Sequence, residues 1–401
     1  MAGPLTGYRV LDMSRVLAGP WAGQLLADLG ADVIKVERPK VGDDTRHWGP
    51  PYLKDATGAD TEDAAYFFSA NRGKRSLTVD ITQPEGQDII RKLASKVDVL
   101  IENYKVGGLA KYGLDYSSLE KLNPKLVYCS ITGFGQTGPY AQRPGYDFLI
   151  QGMAGLMSVT GEPDSQNGGG PTKVGVAVTD IFTGLYAANA IQGALLERHH
   201  SDMGQYIDLA LLDVQAAVMA NQASNYLIGG QIPGRLGNAH PNIVPYQAFA
   251  TLDSHVIVAV GNDQQFQRFC KAIGEPKWAD DQRYATNTAR VNNRVTLCGQ
   301  ITKHLKQQTS QYWLSKFEDH AVPCGPINTI DQVFDDPQIQ SRNMVLTMQD
   351  PRAGELRLVA NPINYSRSQI EYHLAPPQLG NQTIEILQEY LEYAETTVKV
   401  L

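Results

Sequence analysis

The most concentrated positive charge in the sequence is NRGKRS, which gathers Arg72, Lys74 and Arg75 just ahead of an apolar run. Guanidinium groups grip phosphate oxygens in pairs. Such a cluster can therefore take a ligand with a pyrophosphate and a ribose phosphate, a coenzyme A or a nucleotide, and ordinary surface charge is the competing reading. Glu37, Arg38, Pro39 and Lys40 close another apolar run, where a cofactor's ribose or phosphate would lie in a nucleotide-binding crevice; a solvated charge cluster reads the same way. The glycine spacing of VLDMSRVLAGPWAG does not match GxGxxG, so the dinucleotide fingerprint is absent and Gly19 and Gly23 read as turn and packing residues. There is no GxSxG elbow and no cysteine with a credible histidine partner. His199 and His200 are neighbours at what reads as a helix end, and no HExxH-like spacing points to a metal. Asp180, in VAVTDIFTG, taken alone reads as a helix N-cap.

The elements that must position these residues follow an alternating pattern. RVLDM reads as a strand, GPWAGQLLADLG as a helix and DVIKVE as a strand; SLTVD, VDVLIEN and KLVYCSI continue the strands. Short Val- and Ile-rich runs separated by helical stretches are the mark of βαβ units and a parallel sheet. In TQPEGQDIIRKLASK, Thr82 can cap a helix with Pro84 in its first turn. SITGFGQTGPY and TGEPDSQNGGGPTK read as loops. IFTGLYAANAIQGALLERHH, after Asp180, reads as a long buried helix. From Asn225 the composition shifts to Gly, Pro and Asn, and YQAFATLDSHVIVAVG then reads as two strands. This divides the chain into 1–224, a small domain at 225–325, and a return segment at 326–401 whose amphipathic NQTIEILQEYLEY docks on the core.

With 401 residues and 42% apolar content the chain can bury a sizeable core. Its net charge of -7, from 35 Lys and Arg against 42 Asp and Glu, speaks against a nucleic-acid surface. Four scattered cysteines without a CxxC pair suggest neither a disulfide framework nor a zinc site. No stretch approaches the roughly 18 apolar residues of a membrane span, and MAGPLTG leads into RVLDM without a long apolar segment. We expect a soluble, cytoplasmic protein.

Several blocks together resemble the class III CoA-transferases, the family of formyl-CoA transferase and carnitine CoA-transferase. They are VLDMSRVLAGPWAGQLLADLGADVIKVERPKVGDDTR, NRGKRSLTVD, VDVLIENYKVGGLAKYGL, SITGFGQTGPY and TDIFTG; NYLIGGQ, AHPNIVPYQAF and VPCGPINT are similar to the branch acting on dicarboxylates. The resemblance implies an α/β fold with a Rossmann-like large domain and a smaller α+β domain, in an interlocked homodimer. It implies acyl-CoA and carboxylate substrates, no metal, and Asp180 as covalent nucleophile. On coenzyme A it places Leu17, Ala18 and Arg38, the stretch Val79, Asp80 to Thr82, Asn103, Tyr104, Lys105, Lys111, and Thr132, Gly133, Phe134 and Gly135. Leu17 stands where formyl-CoA transferases carry Gln, and Lys111 where some carry Arg, which replaces a fork with a point charge.

A carboxylate with a reference pKa of about 3.9 is ionised at neutral pH, so Asp180 is expected to attack a thioester without a general base. Both covalent intermediates hydrolyse easily, so the site must be dry and offer donors to the oxyanion. GNAHPNIVPYQ stands in place of the tetraglycine loop of formyl-CoA transferases, which argues for an acceptor other than oxalate, with succinyl-CoA and glutarate the expected pair. Arg46, Tyr146 and His240 are expected at the substrate, although Arg46 could equally serve as a structural ion-pair partner. An α-methylacyl-CoA racemase would carry a His before the Asp of a GHD-like motif; here Tyr146 precedes Asp147, a poor base at neutral pH. A CoA-binding protein without catalysis and a thioesterase are rival readings of the same chain.

Overall fold

In the computed structural model, which describes residues 2–394, the chain forms two compact units. The first is built from residues up to 156, 174–224 and 337 onward; the second from 157–173 and 225–336. The glycine-rich loop at 157–173 thus clusters with the second unit, where Gly237 N donates to Gly161 O at 3.0 Å and Arg235 Nε to Glu162 O at 3.2 Å.

The first unit begins with β1 (Arg9–Asp12), α1 (Ala18–Asp28) and β2 (Asp32–Glu37), a βαβ unit. A hairpin, β3 (Tyr52–Lys54) and β4 (Asp60–Ala64), and a short helix α2 (Ala65–Phe68) precede β5 (Lys74–Thr78). Then follow α3 (Pro84–Ala94), β6 (Val99–Glu102), β7 (Val127–Thr132), α4 (Asp147–Met153), α5 (Val178–Ser201), β8 (Tyr206–Ala210) and α6 (Leu211–Ala217). Six strands pair in parallel in the order β5-β2-β1-β6-β7-β8. Val10, Leu11, Val33, Ile34, Val99, Leu100 and Ile101 are all buried, which is why these runs read as continuously apolar. The order reverses between β1 and β6, and the loops leaving the carboxyl ends of those strands flank the crevice where open α/β sheets bind ligands.

Two local expectations are corrected. Lys74 and Arg75 belong to β5 itself, paired in register with Val33 and Ile34 of β2. Thr82 does not cap α3: residue 83 is its N-cap, Pro84 opens the helix, and the Thr82 hydroxyl donates to Asp80 Oδ1 at 2.7 Å. α5 is long, as its pattern demands, but only one face is buried; Phe182, Leu185, Tyr186 and Leu196 are exposed. The C-terminal helix Thr383–Leu391 buries Ile386, Leu387 and Tyr390 against the first unit's core.

The second unit pairs β9 (Tyr246–Ala250), β10 (His255–Ala259) and β11 (Cys324–Gly325) antiparallel over a core that includes Phe249, Phe266, Phe269 and Phe317. The strands β12 (Val345–Asp350) and β13 (Gly354–Val359) form a hairpin in the returning part of the first unit. Among the described residues no helix is long and apolar enough to cross a membrane.

Candidate active site

A cleft of about 210 Å³ opens at the switch point. Its walls come from the loop after β1 (Arg15, Val16, Leu17, Ala18), the loop after β6 (Asn103, Tyr104, Lys105), the end of β7 (Ile131, Thr132, Gly133) and the segment before α4 (Arg143 to Tyr146). Asp180 stands at its wall. Sites that bury a whole drug-sized ligand run to roughly 300–1,000 Å³. A coenzyme-sized molecule would therefore leave most of its length outside this cleft.

Asp180 is in the first turn of α5, whose N-cap, Ala177, has no side chain to accept a hydrogen bond. Asp147 takes over that task from outside the helix: its Oδ1 accepts from Thr179 N at 2.8 Å and from Asp180 N at 3.4 Å. Gln151, one turn along α4, donates to Asp147 Oδ2 at 2.7 Å and accepts from Val174 N at 2.9 Å, locking the arrangement. One turn after Asp180, α5 presses on α1. A Cβ at Gly184 would lie 2.7 Å from Ala18 O, so only glycine permits the contact that sets Asp180 beside the start of α1.

This environment corrects the expectation that Asp180 keeps an ordinary carboxylate pKa. Burial, and secondarily the Asp147 carboxylate, push it up to about 7. Tyr66, at the start of α2, is pushed up to about 12 by burial and, after it, by Asp180, Asp147 and Asp43, so its phenol stays protonated.

Of the residues expected to bind, Leu17, Ala18, Asn103, Tyr104, Lys105, Thr132, Gly133 and Tyr146 line the cleft with Asp180. Phe134 and Gly135 are buried just beyond it. Arg38, past the end of β2, is exposed, as is Asp80 past the end of β5; Val79 is buried beside it. All lie on the same carboxyl edge of the sheet, outside the cleft walls. Lys111 is exposed and stacks 4.6 Å over the Tyr112 ring.

The cation cluster is not an anion site. Arg72 forks onto Asp28 (2.8 and 2.6 Å) and donates to Val359 O. Lys74, fully buried, spends its donors on Asp12 Oδ2 (2.8 Å), Pro20 O (2.8 Å) and Asn71 Oδ1 (3.0 Å). Arg75 pairs with Asp32, Glu385 and Glu389. Each charge is already matched by a carboxylate. Arg46 is corrected in the same way: 2% exposed, it forks onto Glu37, reaches Asp63 at 2.8 Å and donates to Pro377 O, so it is a structural ion-pair partner. His240 belongs to the second unit, where Nδ1 accepts from Asn242 N at 3.1 Å and the ring packs on Tyr246.

The cations that do line the cleft are Arg15, Lys105 and Arg143, and two of these the sequence reading missed. Arg15 pairs loosely with the half-exposed Asp44 at 3.5 Å, and Arg143 stacks 4.6 Å over the Tyr140 ring. Arg15 sits inside a block already singled out, DMSRVLAGP, and Arg143 lies three residues past SITGFGQTGPY, but nothing local separates them from other surface cations.

The profile of CoA-transferase family III matches residues 5–383. The chain is 53% identical to a protein of Agrobacterium fabrum named succinate–glutarate CoA-transferase, over 98% of this chain and 97% of that one. It is 43% identical to succinyl-CoA:glutarate CoA-transferase of Mus musculus, over 99% and 89% of the two chains. A crystal structure of a CAIB/BAIF family protein from Brucella suis matches at TM-score 0.84 and 49% identity, covering 97% of this chain and 100% of that one. With a carboxylate at the switch-point cleft and these matches spanning nearly its whole length, the chain belongs to CoA-transferase family III.

Proposed function

We propose that this enzyme moves CoA from succinyl-CoA to glutarate through covalent intermediates on Asp180. The observation that carries the reading is the position of Asp180, half-buried at the wall of a cleft whose described lining offers neither histidine, cysteine nor serine as a nucleophile. The names of the relatives from Agrobacterium fabrum and Mus musculus support the substrate pair.

In the forward sequence an Asp180 oxygen bonds to the succinyl carbonyl carbon, the C–S bond breaks, and CoA leaves as thiolate. The thiolate attacks the aspartyl carbonyl of the resulting anhydride, releasing succinate and leaving an aspartyl-CoA thioester. Glutarate attacks that carbonyl and expels the thiolate again, and the thiolate then takes the glutaryl group, restoring the Asp180 carboxylate. No net water or proton is consumed, so the thioester's free energy is conserved.

Coenzyme A is read as lying along the carboxyl edge of the sheet. The carboxyl ends of β5, β2, β1, β6 and β7 and the loops leaving them carry Asp80, Arg38, Leu17, Asn103 and Thr132 in spatial order, and five strands spaced about 4.8 Å apart span roughly 19 Å. The exposed apolar face of α5 supports a homodimer.

The test is to incubate the enzyme with succinyl-CoA and a panel of carboxylates and read new acyl-CoA species by mass. Glutaryl-CoA is expected, and hydroxylamine should convert Asp180 to its hydroxamate only when succinyl-CoA is present. Full turnover by Asp180→Ala would sink the proposal.

A further inference from the structure

The loop that carries Arg15 to Ala18 into the cleft is strained. Val16 has φ 71°, a left-handed conformation in which a β-branched side chain crowds its own backbone. Such a residue persists only where its surroundings over-determine it. Here they do, because side chains from several elements hold the backbone at residues 14, 15 and 16. Asp12 accepts from Ser14 N at 3.0 Å, and Lys35 Nζ donates to Ser14 O at 3.1 Å. Asn103 grips Arg15 at both ends, accepting from its N at 2.9 Å and donating to its O at 2.7 Å. Asp43 accepts from Val16 N with both carboxylate oxygens, at 3.2 and 3.3 Å.

Asp43 is 1% exposed and does not line the cleft. It is held in turn by Lys35 Nζ at 2.8 Å and by the amide and hydroxyl of Thr45 at 3.0 and 2.8 Å. Burial opposes its ionisation, but Lys35 and Thr45 win and bring it down to about 2, so the acceptor stays charged at any working pH. No step of the proposed chemistry uses Asp43, and a fully buried Lys–Asp pair is a weak source of net stability.

We propose that Asp43 is a positioning residue for the acyl-CoA: backed by Lys35, it locks Val16 in the left-handed conformation and so fixes the Val16–Ala18 backbone that the thioester end meets in the cleft. This rests on the reading of the cleft as the acyl-CoA site. Asp43 touches no substrate and acts only through the backbone.

Glycine accepts φ 71° without crowding, which allows this role to be separated from bulk stability. Asp43→Ala is expected to raise the KM for succinyl-CoA about ten-fold or more, with the glutarate KM changed by less than about two-fold. Adding Val16→Gly to Asp43→Ala should recover at least about three-fold of that loss, a coupling that a general loss of packing would not produce. Titration of free CoA by calorimetry should follow the same order. An unchanged KM for succinyl-CoA in Asp43→Ala, or a double variant no better than the single one, overturns the proposal. If circular dichroism shows Asp43→Ala unfolded, Asp43→Asn, alone and with Val16→Gly, is judged by the same criteria with a smaller rise expected. A wild-type enzyme that neither binds CoA nor exchanges it would instead defeat the functional reading, leaving the two failures distinct.

Discussion

Two carboxyls meet at the start of α5, and they do different work. Asp147 collects the first-turn amides that would otherwise stabilise charge on Asp180, while Asp180 is left in a buried setting that holds it near neutrality. As the proposed nucleophile, Asp180 must be ionised to attack. The kcat/KM for succinyl-CoA should therefore fall as pH drops through about 7, because the protonated fraction of Asp180 grows there. Replacing Asp147 with Asn removes the lesser cause, the charge, while its side-chain oxygen can still accept from Thr179. The acid limb should move to lower pH and yet remain above the ordinary carboxylate range, since burial, the larger cause, is untouched. A pH–rate profile of Asp147→Asn superimposing on that of wild type would show that the two groups do not interact. The role proposed for Asp180 comes from the resemblance of the TDIFTG block, but in the sequence Asp147 stands out only as the residue after Tyr146. Its capping role joins positions far apart along the chain, and no local signal announces it.

At the level of elements, the strands, α1 and the two-strand start of the second unit are readable from apolar runs and spacing. The meaning of the charges is not. NRGKRS looks like a phosphate patch because sequence shows Lys74 and not the Asp12 that waits for it across the sheet. In the fold, Asp12 and Lys74 are both fully buried under α1, and Gly23 is the point where the helix backbone crosses them. A Cβ there would sit 2.6 Å from Asp12 Oδ2 and 3.2 Å from Lys74 Nζ. Neither atom can retreat without leaving a buried charge short of its partner. Gly23→Ala, despite its better helix propensity, should cost about 1–3 kcal/mol, seen as a lower urea midpoint with unchanged slope. A midpoint equal to or above wild type would mean that α1 can lift off the pair at no cost.

At the scale of the molecule, α5 poses a problem that one chain does not solve. Its sequence is apolar enough for a helix buried all round, yet only the face carrying Thr183, Ala187, Ile191 and Leu195 packs on the first unit's core. Phe182, Leu185 and Tyr186 form an exposed stripe at helical spacing, Leu196 is 68% exposed, and Phe148 and Leu149 of α4 are exposed as well. Apolar surface on this scale is costly in water, and a second copy of the same chain is the occupant implied by the family resemblance. A mismatch between pattern and burial is the trace that a partner would leave in the sequence. Sedimentation equilibrium should give twice the chain mass of 43.9 kDa. Leu185→Asp combined with Tyr186→Asp should shift that mass toward one chain, because a buried carboxylate without a partner opposes association by several kcal/mol. The cleft residues come from the first unit, so CoA titration on the separated chains would report whether association also shapes the site. A wild-type protein sedimenting at one chain mass at every concentration would leave the stripe unexplained and remove the dimer from the reading.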